Sequence, residues 1–301
     1  MNNNNSDMKK IFFALALCLV ALGCSAQLLW KVSGDQLARP SYLFGTYHLI
    51  SGNFIDSVAG LPEAIKAVDA VYVEIENDSI KSPQSLAMLA QAMLAPEDST
   101  LDKLLSPAGY KIVENVIDKY FGSFGIGMEP FLKLKPAAIA NQLMVLQASR
   151  IIQTIDPNNL IDAAVEKRVT SLGKPVHSLE NVAIQAKIFF GSPLVKQAAD
   201  LMEMCKADNE VNAALNSITQ AYTQQDLGKV LEVMENPAIG GNKEDLETLF
   251  YSRNRTWKEI IIPAMQEQSI MVSVGAGHLP SENGLINLLR QAGLTVEPVS
   301  N

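Results

Sequence analysis

Cysteine is scarce in this 301-residue chain: there are three, and two of them, Cys18 and Cys24, fall in the N-terminal stretch. Cys205 stands alone beyond it, so the remainder cannot close an intramolecular disulfide. With Met202 and Met204 around it on a helical pattern, Cys205 reads as a small core residue. Positive charge is also short: 24 Lys and Arg face 32 Asp and Glu, for a formal net charge of −8. That argues against a phosphate-backbone ligand, which would need a basic face, and no nucleic-acid partner is expected. No apolar run is long enough to cross a membrane as a helix. The H-E-x-x-H, C-x-x-C, G-x-S-x-G and Walker patterns are missing too. Ordinary zinc proteases, serine hydrolases and nucleotide hydrolases therefore find no support.

What is present begins at the N-terminus. Lys9 and Lys10 precede an unbroken apolar run from Ile11 to Leu22, and the small residues Gly23, Cys24, Ser25 and Ala26 follow. A basic start, a short apolar core and a small-residue boundary form the pattern of a secretory signal, shorter than the roughly 20 residues of a membrane-spanning helix. Residues 1–26 are read as a signal peptide and 27–301 as one domain, with 48% apolar residues to fill a core. Ala21-Leu22-Gly23-Cys24 is similar to a bacterial lipobox, which would place a lipid on Cys24 and anchor the chain without spanning the bilayer. Cleavage after Ala26 is the competing outcome. The expected location is outside the cytoplasm, periplasmic or held at the outer membrane through that lipid.

Strand signals gather at the two ends of the domain. Leu28–Val32 and Tyr42–Gly45 flank a Gly34-Asp35 turn and read as a hairpin. Ala70–Ile75, Ile270–Val274 and Leu294–Val299 are short β-branched runs that suit buried strands, and Pro175–Leu179 is a weaker candidate. Between them the pattern is helical. Ser106-Pro107 is a cap followed by Pro in the first turn, and Ile112, Val113, Val116, Ile117 and Tyr120 recur at helical spacing toward Gly122. A helix after Asp156-Pro157 closes near Gly173, and further helix is expected over 130–153, 182–236 and 243–264.

One unit occurs twice. Gly45-Thr46-Tyr47-His48-Leu49 ends a strand and leads through a helical stretch to the strand at 70–75. Gly275-Ala276-Gly277-His278-Leu279 does the same toward the strand at 294–299. The expected fold is mixed α/β: a central mixed sheet built from two pseudo-symmetric strand–GxxH–helix–strand units, with a large helical middle region. Each unit predicts a pair of adjacent parallel strands.

His48 and His278 thus sit at the carboxyl ends of strands, where open α/β sheets place ligands. Histidine there can bind a metal or move a proton near neutral pH. Glu74 and Glu76 share one face of the 70–75 strand by alternation. A carboxylate at the end of an apolar strand is costly to bury unless paired or metal-bound, so Glu74 joins the two histidines as a candidate ligand or general base. A capping or solvated role for these carboxylates is the plainer alternative. Such an N,O donor set suits Mn, Co or Zn. Arg253 and Asn254 are candidates for holding a substrate carboxylate or an oxyanion, against the alternative of a solvated helix face. His177, after the Gly173-Lys174-Pro175 turn, reads as structural.

Taken together, these residues resemble the TraB/GumN family. The carriers are Leu29-Trp30-Lys31-Val32, then Ser41 through Leu49, Val73-Glu74-Ile75-Glu76, and Gly173 through Glu180. Arg253-Asn254 and Val274 through Leu285 complete the set. Glu76 and Pro280-Ser281 depart from the usual Asp and Pro-Gly. The resemblance implies a fold of sheet and helices in two related halves, similar to the Tiki metal-dependent proteases. It implies that His48, Glu74 and His278 form a metal site, Mn or Co being favoured over Zn, with Arg253 and Asn254 in support. A peptide or protein substrate would follow. A non-catalytic ligand- or peptide-binding protein on the same fold is the alternative. Methionines such as Met88, Met93, Met144, Met202 and Met204 would then line its groove, or else merely fill helical cores.

Overall fold

Six β-branched or apolar runs form strands: β1 (Leu29–Ser33), β2 (Ser41–Thr46), β3 (Ala70–Val73), β4 (Val176–Ser178), β5 (Ile270–Gly275) and β6 (Thr295–Pro298). The structure is a computed structural model and describes residues 27–152, 155–236 and 241–299. The expected signal peptide and Cys24 lie outside the described residues. The strands make one mixed sheet in the order β4-β3-β5-β2-β1-β6. β4, β3, β5 and β2 run parallel, while β1 is antiparallel to both β2 and β6. The central strand β5 is buried along all but its last residue, which is why it reads as a continuous apolar run.

The predicted adjacency of strands within each unit is not what forms. β2 and β3 are separated by β5, and β5 and β6 by β2 and β1. The β1–β2 hairpin covers one edge of β2 and leaves the other free, and β5 takes that edge. The two units are therefore interleaved, and interleaving rather than mere repetition places the two GxxH segments side by side.

Among the described residues, fourteen α-helices surround the sheet. The first seven are α1 (Leu61–Ala67), α2 (Asn77–Lys81), α3 (Pro83–Met93), α4 (Leu101–Leu104), α5 (Pro107–Phe121), α6 (Pro136–Ile151) and α7 (Ile161–Ser171). The others are α8 (Val182–Phe190), α9 (Leu194–Lys206), α10 (Asp208–Thr223), α11 (Leu227–Met234), α12 (Lys243–Leu246), α13 (Ser252–Glu267) and α14 (Leu285–Gln291). Ser106 caps α5 as its sequence predicts, its hydroxyl accepting from the Gly109 N–H. The main core joins the sheet to α1, α7, α13 and α14 through residues such as Val71, Val272, Ile65, Val165, Trp257, Ile261 and Leu289. A second core, with Leu101, Val113, Ile117, Ile139, Leu143, Leu201 and Cys205, belongs to the helical middle. Cys205 is buried there and burial pushes its thiol up to about 12, which leaves it inert. Met93 and Met204 pack at the margins of helical cores, whereas Met88 and Met144 are exposed.

The helical stretch expected over 182–236 is cut into α8, α9, α10 and α11. Pro193 lacks the N–H a continuing helix would use and instead precedes α9. Gln225 ends α10 in the left-handed region, at φ 60°. That conformation suits glycine, and the buried Gln225 Oε1 has no hydrogen-bond partner. Gln225→Gly is expected to stabilise the chain by about 1 kcal/mol, raising the melting midpoint by about 2 °C. A thermal melt by circular dichroism decides it, and an unchanged or lower midpoint refutes it.

Candidate active site

Thr46 of β2 lies opposite Gly275 of β5 in the parallel register, so both GxxH segments leave the sheet at the same end. Glu74 arrives at that end from β3, the other neighbour of β5. The two glycines have different tasks. A Cβ on Gly45 would stand 3.0 Å from Ala276 Cα and from Leu279 Cδ1, so glycine there lets the first motif pack on the second. A Cβ on Gly275 would stand 3.3 Å from Glu74 Oε1, 3.7 Å from His278 Cδ2 and 3.9 Å from His48 Nε2. One small space is therefore shared by all three predicted site residues.

His278 is buried, between the rings of Trp257 (centroids 4.4 Å apart) and Phe250 (5.0 Å). Its Nδ1 is 2.7 Å from Asn254 Oδ1. The Asn254 amide donates to the His278 and Asn283 carbonyls, at 3.1 and 2.9 Å, so its oxygen faces the ring and Nδ1 carries the proton. The Nε2 lone pair is left to point inward, where Arg253 Nη1 donates to it at 3.1 Å. Asn254 thus has every polar group in use as the holder of His278.

Arg253 enters from α13, directly after a π-helical turn over Glu247–Tyr251. Its five N–H groups all meet protein acceptors. Nε donates to Glu180 Oε2 (3.1 Å), Nη1 to the Leu249 carbonyl (2.8 Å) and His278, and Nη2 to Glu74 Oε2 (2.5 Å) and Glu180 Oε1 (2.6 Å). The guanidinium also lies over the Trp257 ring at 4.6 Å. No N–H remains for a substrate group unless one of these bonds is given up. Glu74 further accepts from the Gly275 N–H at 2.9 Å and from Gln185 Nε2 at 3.3 Å.

His48 is the accessible member of the set. Its Nδ1 bonds Asp162 Oδ2 at 2.8 Å, and the Thr46 hydroxyl donates to the other Asp162 oxygen at 2.7 Å. The Asp162 carboxylate lifts the His48 imidazole to about 9 against the burial of its surroundings, so it is protonated at neutral pH. Burial does the opposite to His278, holding it near 3 and neutral. Burial also resists ionisation of Glu74, but the charges of His278, Arg253 and His48 and the Gly275 N–H hold it at about 2. Because His278 is neutral above pH 3, Arg253 and the protonated His48 carry that effect at neutral pH.

These shifts fix the sign of a stability profile. An unfolded chain protonates its histidines near pH 6.5, but folded His278 refuses the proton until about pH 3. Its contribution is complete above pH 6.5 and is lost as pH falls toward 3, at a limit of about 1.4 kcal/mol per pH unit. Glu74 and Asp162 are held low and lose theirs only as pH falls below the ordinary carboxylate values. His48, held high, loses its contribution only as pH rises from 6.5 toward 9. Between pH 6.5 and about 4.5 the slope at this site is therefore that of His278. Urea denaturation in chelator should show it, and His278→Gln should flatten that limb. An equal slope in the variant would refute the assignment.

The structure thus gathers His48, Glu74, His278, Arg253 and Asn254 at one end of the sheet. Glu76 goes elsewhere: its carboxylate accepts from the Ser178 hydroxyl, beside the start of α2. His177 pairs with Tyr72 across β3 and β4, the two rings tilted at 41° with centroids 4.9 Å apart. Sequence reasoning missed Asp162, in the first turn of α7, and Glu180, just after β4. Asp162 had no signal beyond its place at a helix start, whereas Glu180 closes a segment that carries the family resemblance. Among the described residues no group of three His, Cys, Asp or Glu is arranged as a ready-made metal cage. Of the predicted ligands, His278 Nε2 and Glu74 Oε1 stand 3.7 Å apart, with Arg253 bonded to both residues.

Residues 28–298 match the family model described as TraB/PrgY/gumN family. No curated protein and no solved structure matches the chain.

Proposed function

Because the chain belongs to the TraB/PrgY/gumN family, we propose that it is a metal-dependent hydrolase, acting on peptide substrates outside the cytoplasm at the centre formed by His48, Glu74 and His278. The observation that carries the reading is the convergence of these three on the space beside Gly275. The donor chemistry fits a divalent cation. Both imidazoles have Nδ1 fixed by a side-chain oxygen, Asp162 for His48 and Asn254 for His278, which is how metal-binding histidines are oriented. The 3.7 Å between His278 Nε2 and Glu74 Oε1 suits two donors that share one ion at about 2 Å each. His48 Nε2, His278 Nε2 and Glu74 would hold it, with Mn or Co favoured and Zn possible. Such an ion, when bound, supplies Lewis-acid polarisation of a carbonyl and a more acidic water.

The chain's own residues supply the rest. Asn254 keeps the His278 proton on Nδ1, and Asp162 keeps one on Nδ1 of His48. The second His48 proton, on Nε2, must leave to solvent before that nitrogen can serve as a ligand. Arg253 positions Glu74 and His278 and needs no substrate contact for that role. Residues 1–26 would serve export, with Cys24 as lipid acceptor.

The test is metal content and affinity of the purified protein beside His48→Ala and His278→Ala, with a peptide-library screen. One equivalent of Mn, Co or Zn is expected, lost in both variants together with hydrolysis. Hydrolysis retained in His278→Ala would sink the assignment. The internal satisfaction of Arg253 favours one rival, a binding protein whose charged centre is structural. It predicts no metal and ligand binding that survives chelation.

A further inference from the structure

Glu180 stands outside the three proposed ligands, yet it holds Arg253 more firmly than Glu74 does. It receives both Nε and Nη2 of the guanidinium, at 3.1 and 2.6 Å, whereas Glu74 shares only Nη2. Its side chain is 4% exposed. Its place relative to Glu74 is fixed through the main chain, the Glu180 N–H donating to the Glu74 carbonyl at 3.1 Å and the Leu179 N–H to the Val73 carbonyl at 2.8 Å.

A cation at the proposed centre needs a Glu74 oxygen and the His278 Nε2 lone pair; Arg253 now donates to that Nε2 and to Glu74 Oε2, while Glu74 Oε1 accepts from the Gly275 N–H. A guanidinium released from them without another partner would be a buried unpaired charge, which is strongly unfavourable. We propose that Glu180 and Arg253 form a latch for metal entry: Glu180 keeps the guanidinium paired while Glu74 and His278 change partners from Arg253 to the ion. This rests on the metal-site reading above. Of its five bonds Arg253 would give up those to Glu74 and His278. It would keep the two to Glu180, the one to the Leu249 carbonyl and its place over the Trp257 ring. Glu180 is in these terms a positioning residue, acting through Arg253.

The experiment is Mn2+ affinity by calorimetry for wild type, Glu180→Gln, Glu180→Asp, Arg253→Gln and the Glu180→Gln/Arg253→Gln double variant. Glu180→Gln should bind Mn2+ at least tenfold more weakly than wild type. Glu180→Asp keeps the charge but cannot reach both nitrogens, and should be at least threefold weaker; it carries the test if Glu180→Gln does not fold. Once Arg253 is absent there is no cation to store, so the double variant should match Arg253→Gln within threefold. The latch is overturned if Glu180→Gln binds like wild type. It is equally overturned if Glu180→Asp binds like wild type, or if removing Glu180 costs as much without Arg253 as with it, because either result leaves only a through-space charge effect. Wild type that binds neither Mn, Co nor Zn would overturn the metal-site reading itself, a result distinct from these.

Discussion

Arg253→Gln should cost the metal-free chain about 3–5 kcal/mol at pH 7, the usual consequence of removing one partner of a buried ion pair. The wild-type guanidinium answers two carboxylates at once, Glu74 and Glu180, with side chains 12% and 4% exposed. Glutamine can donate two hydrogen bonds but no charge, so both buried carboxylates would lose the guanidinium paired with them. Burial, already the largest influence on Glu74, would then raise its pKa instead of being overruled. The sign of the pH dependence follows. Wild-type Glu74, held at about 2, contributes stability that is complete above the ordinary carboxylate range and lost as pH falls toward 2. The variant lacks that contribution, and its Glu74 becomes harmless once protonated. The stability gap should therefore be widest near pH 7 and close as pH falls through 4. Urea denaturation at pH 7 and pH 4 in chelator reads both effects. An Arg253→Gln chain as stable as wild type at pH 7 would mean that the guanidinium and its carboxylates are not paired in the fold.

That same residue marks the limit of what the sequence made legible. Arg253-Asn254 stands out as an adjacent pair on a helix, and both side chains do arrive at the site. The expected chemistry was contact with substrate. What their hydrogen bonds do instead is hold His278 and Glu74, and an inward-facing network cannot be told from an outward-facing one in a linear pattern. The GxxH repeat was legible because glycine at a strand end and histidine three positions later have local meaning. The pairing of Thr46 with Gly275 was not, because nothing local announces that β5 inserts between β2 and β3. Asp162 and Glu180 are two carboxylates among 32 acidic residues, and only the folded chain brings them to His48 and Arg253. The helical middle was legible as helix through its apolar spacing. Its breaks at Pro193 and Gln225 are single-residue events, of which only the proline has a sequence signal.

Gly275→Ala separates fold from site more cleanly than any histidine replacement. Gly275 has φ −49° and ψ 134°, a conformation open to every residue, so alanine brings no backbone strain. Its methyl would meet no backbone atom closer than ordinary contact; the nearest atom is Glu74 Oε1 at 3.3 Å, which must yield by a few tenths of an ångström. Fold stability is expected to change by no more than about 1 kcal/mol, because lost glycine entropy in the unfolded chain offsets that crowding. The site has no such tolerance. The methyl fills the space that Glu74, His48 and His278 share, and it displaces the carboxylate that the Gly275 N–H otherwise holds at 2.9 Å. A misplacement of about 1 Å at a reacting centre can cost about 100-fold, so a shift of a few tenths should cost about tenfold. Mn2+ affinity and peptide hydrolysis should therefore each fall by about tenfold in a protein whose stability changes by no more than about 1 kcal/mol. A variant that keeps both would show that the three side chains do not act on a common ligand at that point. One that loses its fold would place Gly275 among the packing glycines, with Gly45.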